Sequence, residues 1–264
     1  MRMNHSNLVV LAIAFVFPVT ADASHHMLLP QTPNGKLDDV VKILYQWGHP
    51  FKHQLFDAAA PAGAWAFAPD GNKIDVGASI KKEAIVAADD AKVTAYSISF
   101  TPQQRGDFTF VVNAAPAWME EEQEFWQDSV KVVYHVQTQK GWDAATGQDL
   151  EWVPLTRPYG LQAGMVFQAK ALVDGKPLGG AMVEIERYNS TVPKELPDDE
   201  QITRRVKTDP NGIVTCTLTE AGWWCLSAHC DAGKRERNGK MYPVRQRAIF
   251  WVHVDDQPAA TKRK

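Results

Sequence analysis

Turn-forming residues interrupt this chain every few positions. The segments between them are short and rich in β-branched and aromatic side chains. So punctuated, the chain must build its core from many short strands. Val40–Trp47 reads as a strand of β-formers. Thr94–Phe100 and Asp107–Asn113 flank Pro102 and Gly106 and read as a hairpin. Ser129–Thr138 alternates, with Val130, Val132, Tyr134 and Val136 on one face. The acidic run Glu120-Glu121-Glu122-Gln123-Glu124 reads as a solvated loop or one short helix. A calcium site there is disfavoured, because a short helix spreads carboxylates around its faces.

The pattern resets at Arg157-Pro158-Tyr159-Gly160. Met165–Val173 is a strand, Asp174-Gly175-Lys176-Pro177 a turn, and Ala181–Tyr188 the return strand. Ser190–Gln201 is a long polar loop. Thr203–Lys207 leads into Thr208-Asp209-Pro210-Asn211-Gly212, a hairpin signal. Ile213–Leu218 and Trp223–Ala228 read as the next pair, and Val244–Val254 closes the series. The expected fold is all-β, with two immunoglobulin-like β-sandwich domains in tandem after a cleaved signal peptide. The expected divisions are residues 1–23 for the signal peptide, 24–157 for a β-rich domain, 158–255 for a second sandwich and 256–264 for a disordered tail.

The first division follows from Arg2, the apolar run Leu8–Phe17, the break at Pro18 and the small-residue site Ala21-Asp22-Ala23. The run is too short to span a bilayer, which takes about 20 residues. A soluble periplasmic protein with no stable membrane insertion is expected once the signal is removed. A net charge of -3 argues against nucleic acid as a partner. Export permits disulfides. Cys216 and Cys225 would face each other across a hairpin turning at Thr219–Gly222, and the other reading makes all three cysteines small core residues.

Cleavage after Ala23 would place His26 third in the mature chain, behind Ser24 and His25, whereas a cut after Ala21, the other reading, would place it fifth and rule out a chelate there. In the first case the α-amine, two backbone amides and the His26 imidazole could wrap a square-planar Ni(II) or Cu(II) ion. His49 and His53 form a second pair, in His49-Pro50-Phe51-Lys52-His53. Pro50 disfavours a helix at His49, so the pair would converge from a loop, with Asp57 as a nearby oxygen donor. By spacing alone, a structural role for His49 and His53 is the better reading. His135 and His253 read as single structural histidines in strands. His229 with Cys225 and Cys230 lacks metal-site spacing. Trp223-Trp224 would put one ring on each sheet face, so one exposed ring could serve a glycan or partner.

Several blocks carry a family resemblance. They are His26-Met27-Leu28-Leu29-Pro30, Trp47 through Asp57, Gly141-Trp142-Asp143 and Pro154 through Gly160. The turns at Asp174–Leu178 and Thr208–Gly212, with Ala221-Gly222-Trp223-Trp224, complete the set. The chain resembles the NikK-like family of exported bacterial proteins associated with nickel and cobalt uptake. Its C-terminal part resembles the prealbumin-like or collagen-adhesin-B-like immunoglobulin sandwich. The resemblance implies a metal-binding accessory protein that presents Ni(II) or Co(II), with Cu(II) as the other candidate, to an inner-membrane metal transporter. The expected metal residues are His25, His26, His49 and His53. The alternative is a non-catalytic β-sandwich module that binds a protein or glycan in the cell envelope. No nucleophile elbow, zincin helix, phosphate loop or dinucleotide glycine pattern occurs, and no enzymatic activity is expected. An envelope enzyme would require a pocket gathering His49, Asp57 and Asp143.

Overall fold

The computed structural model describes residues 24–88 and 90–257. The expected signal peptide and all but the first two residues of the expected tail lie outside the described residues. The chain is all-β and forms three stacked sheets. A five-stranded outer sheet holds β1 (His25–Pro30), β3 (Val41–His49), β4 (Gln54–Phe56), β7 (Lys81–Val86) and β8 (Lys92–Phe100). The main path of the eleven-stranded central sheet runs β17 (Arg204–Lys207), β16 (Met182–Arg187), β19 (Gly222–Arg237), β20 (Lys240–Asp255), β11 (Glu124–Val136), β9 (Gly106–Asn113), β5 (Gly63–Phe67) and β6 (Lys73–Asp75). The short strands β2 (Asn34–Gly35), β10 (Ala117–Met119) and β13 (Leu161–Gln162) attach to it. A four-stranded sheet of β12 (Leu150–Pro154), β14 (Met165–Val173), β15 (Lys176–Pro177) and β18 (Ile213–Leu218) packs on the other face.

Two cores result, one on each face of the central sheet. Along β11, Val130, Val132, Tyr134 and Val136 all enter the first core, as their alternation predicts, while Val133 enters the second. Along β20, Ile249 and Trp251 face the first core, and Ala248, Phe250, Val252 and Val254 face the second. A strand packed on both faces has no polar side to alternate with, so its sequence reads as a nearly continuous apolar run. The two halves are β-sandwiches joined where β11 runs parallel to β20, from Phe125↔Val244 to Val132↔Trp251. Strands from both sides of residue 157 thus meet in one sheet. They meet again in the four-stranded sheet, where β12 pairs with β14.

Most strands form where expected, but several of the expected hairpins are sheet-crossing arches. β8 pairs with β3 and β7, whereas β9 pairs with β5 and β11, so the turn between β8 and β9 spans the first core. β17 and β18 also lie in different sheets, despite the strong turn between them. So do β14 and β16, and the direct return strand of β14 is the two-residue β15. The pair expected from Ile213–Leu218 and Trp223–Ala228 does not form. Cys216 lies opposite Phe167, and Cys225 lies between Glu186 and Trp251. This arrangement removes the hairpin on which a Cys216–Cys225 bridge depended, and all three cysteines are free thiols. Two amphipathic strands can bury their apolar faces against each other across a sandwich, and a turn signal alone does not choose between that and edge pairing.

Candidate functional site

β1 crosses the first core where β11 and β20 meet. Its register with β3 sets His25 opposite Gly48 and His26 opposite Trp47. A side chain at Gly48 would run into the Gln54 carbonyl oxygen, so glycine lets β4 close against this end of β3. Three contacts fasten β1 to the central sheet. His26 Nδ1 lies 2.7 Å from Asp128 Oδ2, Trp251 Nε1 donates to the His26 carbonyl at 3.0 Å, and Arg247 donates to the Ser24 carbonyl at 2.9 Å.

Asp128 and Arg247 form a buried bidentate pair, with Nε–Oδ1 at 2.7 Å and a second contact at 2.5 Å. Burial opposes charge on Asp128, but the Arg247 guanidinium and the His26 hydrogen bond outweigh it and hold the carboxyl well below the usual range. The ionised carboxylate accepts, so His26 donates through Nδ1 and its Nε2 is left facing away from Asp128. This is the way a carboxylate orients a metal-binding imidazole. The His26 ring also stacks on Tyr45 at 5.3 Å and on Trp47 at 5.7 Å.

His25 is completely buried, and neither ring nitrogen has a hydrogen-bond partner. Its Nε2 sits 3.8 Å from Glu186 Oε2, beyond hydrogen-bond range. Burial, reinforced by the Arg247 charge, pushes its pKa from 6.5 down to about 3, so the ring is neutral at physiological pH. His49 and His26 are close enough for their charges to act on it. The Tyr45 hydroxyl and the Trp47 indole N–H are buried without partners in the same neighbourhood. Among the described residues, such atoms are confined to the N-terminal half of the chain. Each costs about 1–3 kcal/mol if nothing satisfies it.

The four expected metal residues therefore separate. His25 and His26 are buried in β1, and the half-buried His49 lies near enough for its charge to reach His25, edge-on to Phe56 at 5.3 Å. His53 turns away. It sits at φ 52 in the Pro50–His53 turn, and its Nδ1 lies 2.9 Å from the Asn189 carbonyl. That turn docks on the second sandwich, where Phe51 N donates to Glu186 Oε1 and Asn189 donates to the Phe51 carbonyl. The square-planar wrap takes a different shape from the folded strand. It closes through Nδ1 of His26, the nitrogen that here faces Asp128. Among the described residues, no three His, Cys, Asp or Glu side chains are grouped to hold an ion. Asp57 accepts from Thr94 N at 2.7 Å and Asp143 is exposed.

Sequence reading missed Asp128, Arg247 and Glu186. A usable signal existed for two of them. Asp128 shares the face of Val130 and Val132, and Arg247 that of Ile249 and Trp251, so each is a charge on a core face that demands a partner. His135 is also more than a lone strand histidine. Its Nδ1 lies 2.6 Å from the buried Asp107, which accepts from Tyr159 and from Lys140 N as well. Trp224 is buried and Trp223 half-buried against His253, so neither forms an open platform.

Fold and site define a protein of two fused β-sandwiches with a buried histidine–carboxylate–arginine cluster. The chain belongs to the DUF4198 family, a domain of unknown function whose model matches residues 21–232. No curated protein matches it. It is similar to the D0-D1 domain of intimin, with 12% identity over 86% of this chain and 99% of that one and a TM-score of 0.21. A DUF4785 family protein from Legionella pneumophila is 11% identical over 78% of this chain and 52% of that chain, at a TM-score of 0.27. The Yersinia pseudotuberculosis adhesin InvE is 12% identical over 85% and 58%, at 0.23.

Proposed function

We propose that this protein is an exported, periplasmic metal-binding accessory protein without enzymatic activity. Its cargo would be Ni(II) or Co(II), with Cu(II) as the other candidate, for an inner-membrane uptake system such as the NikK-like resemblance implies. The observation that carries this reading is His25, a fully buried neutral imidazole with two unpartnered nitrogens beside a carboxylate. Neutral imidazole suits these ions. Because His25 is already deprotonated down to about pH 3, an ion binding there displaces no proton from it at neutral pH. His26, oriented by Asp128, and His49 are the other imidazoles within the cluster. His53 is outside it.

Equilibrium dialysis of the mature protein against Ni(II), Co(II) and Cu(II) tests the proposal. The parent and His53→Ala should bind one ion equally well. His25→Ala and His26→Ala should each bind at least about tenfold more weakly, about 1.4 kcal/mol. Equal binding by the parent and the His25→Ala/His26→Ala double variant, or no binding by the parent, would refute it.

A further inference from the structure

The four-stranded outer sheet covers only part of the central sheet's second face. Where β12 begins, the uncovered part leaves a polar hollow of about 260 Å³. Its floor is sheet: Trp65 from β5, Gln127 from β11 and Gln246 from β20, with Asn113 from the end of β9. Gln127 and Gln246 are direct register partners on adjacent parallel strands, so their carboxamides rise side by side. Asn113 donates to Gln148 Oε1 at 3.3 Å, and its own Oδ1 is buried without a partner. Lys73 and Asp149 bring one charge of each sign to the lining, and the Asp128 carboxylate faces the first core, paired with Arg247.

We propose that this hollow binds a neutral saccharide. Each carboxamide offers a donor and an acceptor at fixed geometry, which matches a hydroxyl that both gives and takes a hydrogen bond. The balanced charge favours neither an anion nor a cation. The half-buried indole of Trp65, with Lys73 Nζ 4.2 Å from its ring centre, adds an apolar edge for sugar C–H groups. A hollow of this size lies just below the range of about 300–1,000 Å³ for drug-sized ligands, so it takes one terminal sugar unit of a longer glycan. The Asn113 oxygen is the group that such a ligand would satisfy.

Saturation-transfer NMR and tryptophan fluorescence with cellobiose, maltose, lactose and chitobiose, each to about 10 mM, test this. At least one should bind with a dissociation constant in the millimolar range or tighter. Gln127→Ala/Gln246→Ala alters two half-buried side chains outside both cores. It should weaken binding about tenfold while leaving the unfolding midpoint unchanged. Silence from all four sugars overturns the proposal, as does equal binding by the parent and the double variant.

Discussion

Two buried acid–base pairs, Lys131–Glu151 and Arg247–Asp128, lie on opposite faces of the central sheet and are built differently. On the second-core face, Lys131 donates to the Trp152 carbonyl at 2.7 Å, and Glu151, 4.0 Å from the ammonium, accepts from Thr146 N, Thr146 Oγ1 and Gly147 N. That carboxylate keeps three donors whatever the lysine does. On the first-core face, Asp128 depends on Arg247 and His26 alone among side chains, and unpartnered polar atoms surround the pair. Lys131 and Glu151 are thus a satisfied structural pair, whereas His25, close enough to feel the Arg247 and Asp128 charges, keeps two unpartnered nitrogens. Buried polar groups that fail to help the fold are where a ligand is expected.

Four measurements sharpen or break this contrast. The largest effect is expected at Arg247→Met, which leaves Asp128 buried with only His26. It should cost about 4 kcal/mol by urea unfolding, and a cost under about 1 kcal/mol would mean that the carboxylate finds another partner. Lys131→Met should cost less, about 2 kcal/mol, because Glu151 retains its donors. If the two losses are equal, the two faces do not differ as described.

His25→Leu should instead stabilise the metal-free protein by about 1–2 kcal/mol, since it removes two unpartnered nitrogens and keeps the volume apolar. It should also change the acid limb. The folded pKa of His25 lies near 3 against an ordinary 6.5. Between those values the unfolded chain takes up a proton that the folded chain refuses. Stability therefore falls as pH drops from about 6.5 toward 3, by on the order of a few kcal/mol. The Leu variant should show a flatter dependence, read by chemical unfolding at several pH values. The smallest effect is expected at His53→Ala, whose half-buried ring loses its contact to Asn189 and its packing on Tyr188. A change beyond about 1 kcal/mol would mean that the Pro50–His53 turn has a larger structural role than its contacts indicate.

Much of this fold is legible in the residues. Val130, Val132, Tyr134 and Val136 face one core because a strand alternates, and Met165–Val173 begins and ends where its turn residues place it. The residues pair His25 with His26 and His49 with His53, and leave open whether the two pairs meet. Which strands would be neighbours was not legible. Thr208–Gly212 reverses the chain between β17 and β18 as a hairpin signal should, yet the two strands enter different sheets.

The sequence by itself determined that the chain is all-β and which residues face inward along its best strands. Tertiary structure alone decided that Asp128 meets Arg247 across 119 positions, that Glu186 approaches His25, and that His53 leaves the cluster. The reason is the range of the forces. Backbone sterics and turn chemistry act over a few residues and leave a periodic trace. Burial of an apolar face, and the partner that a buried charge then requires, depend on whatever the fold brings alongside, and no local spacing records it.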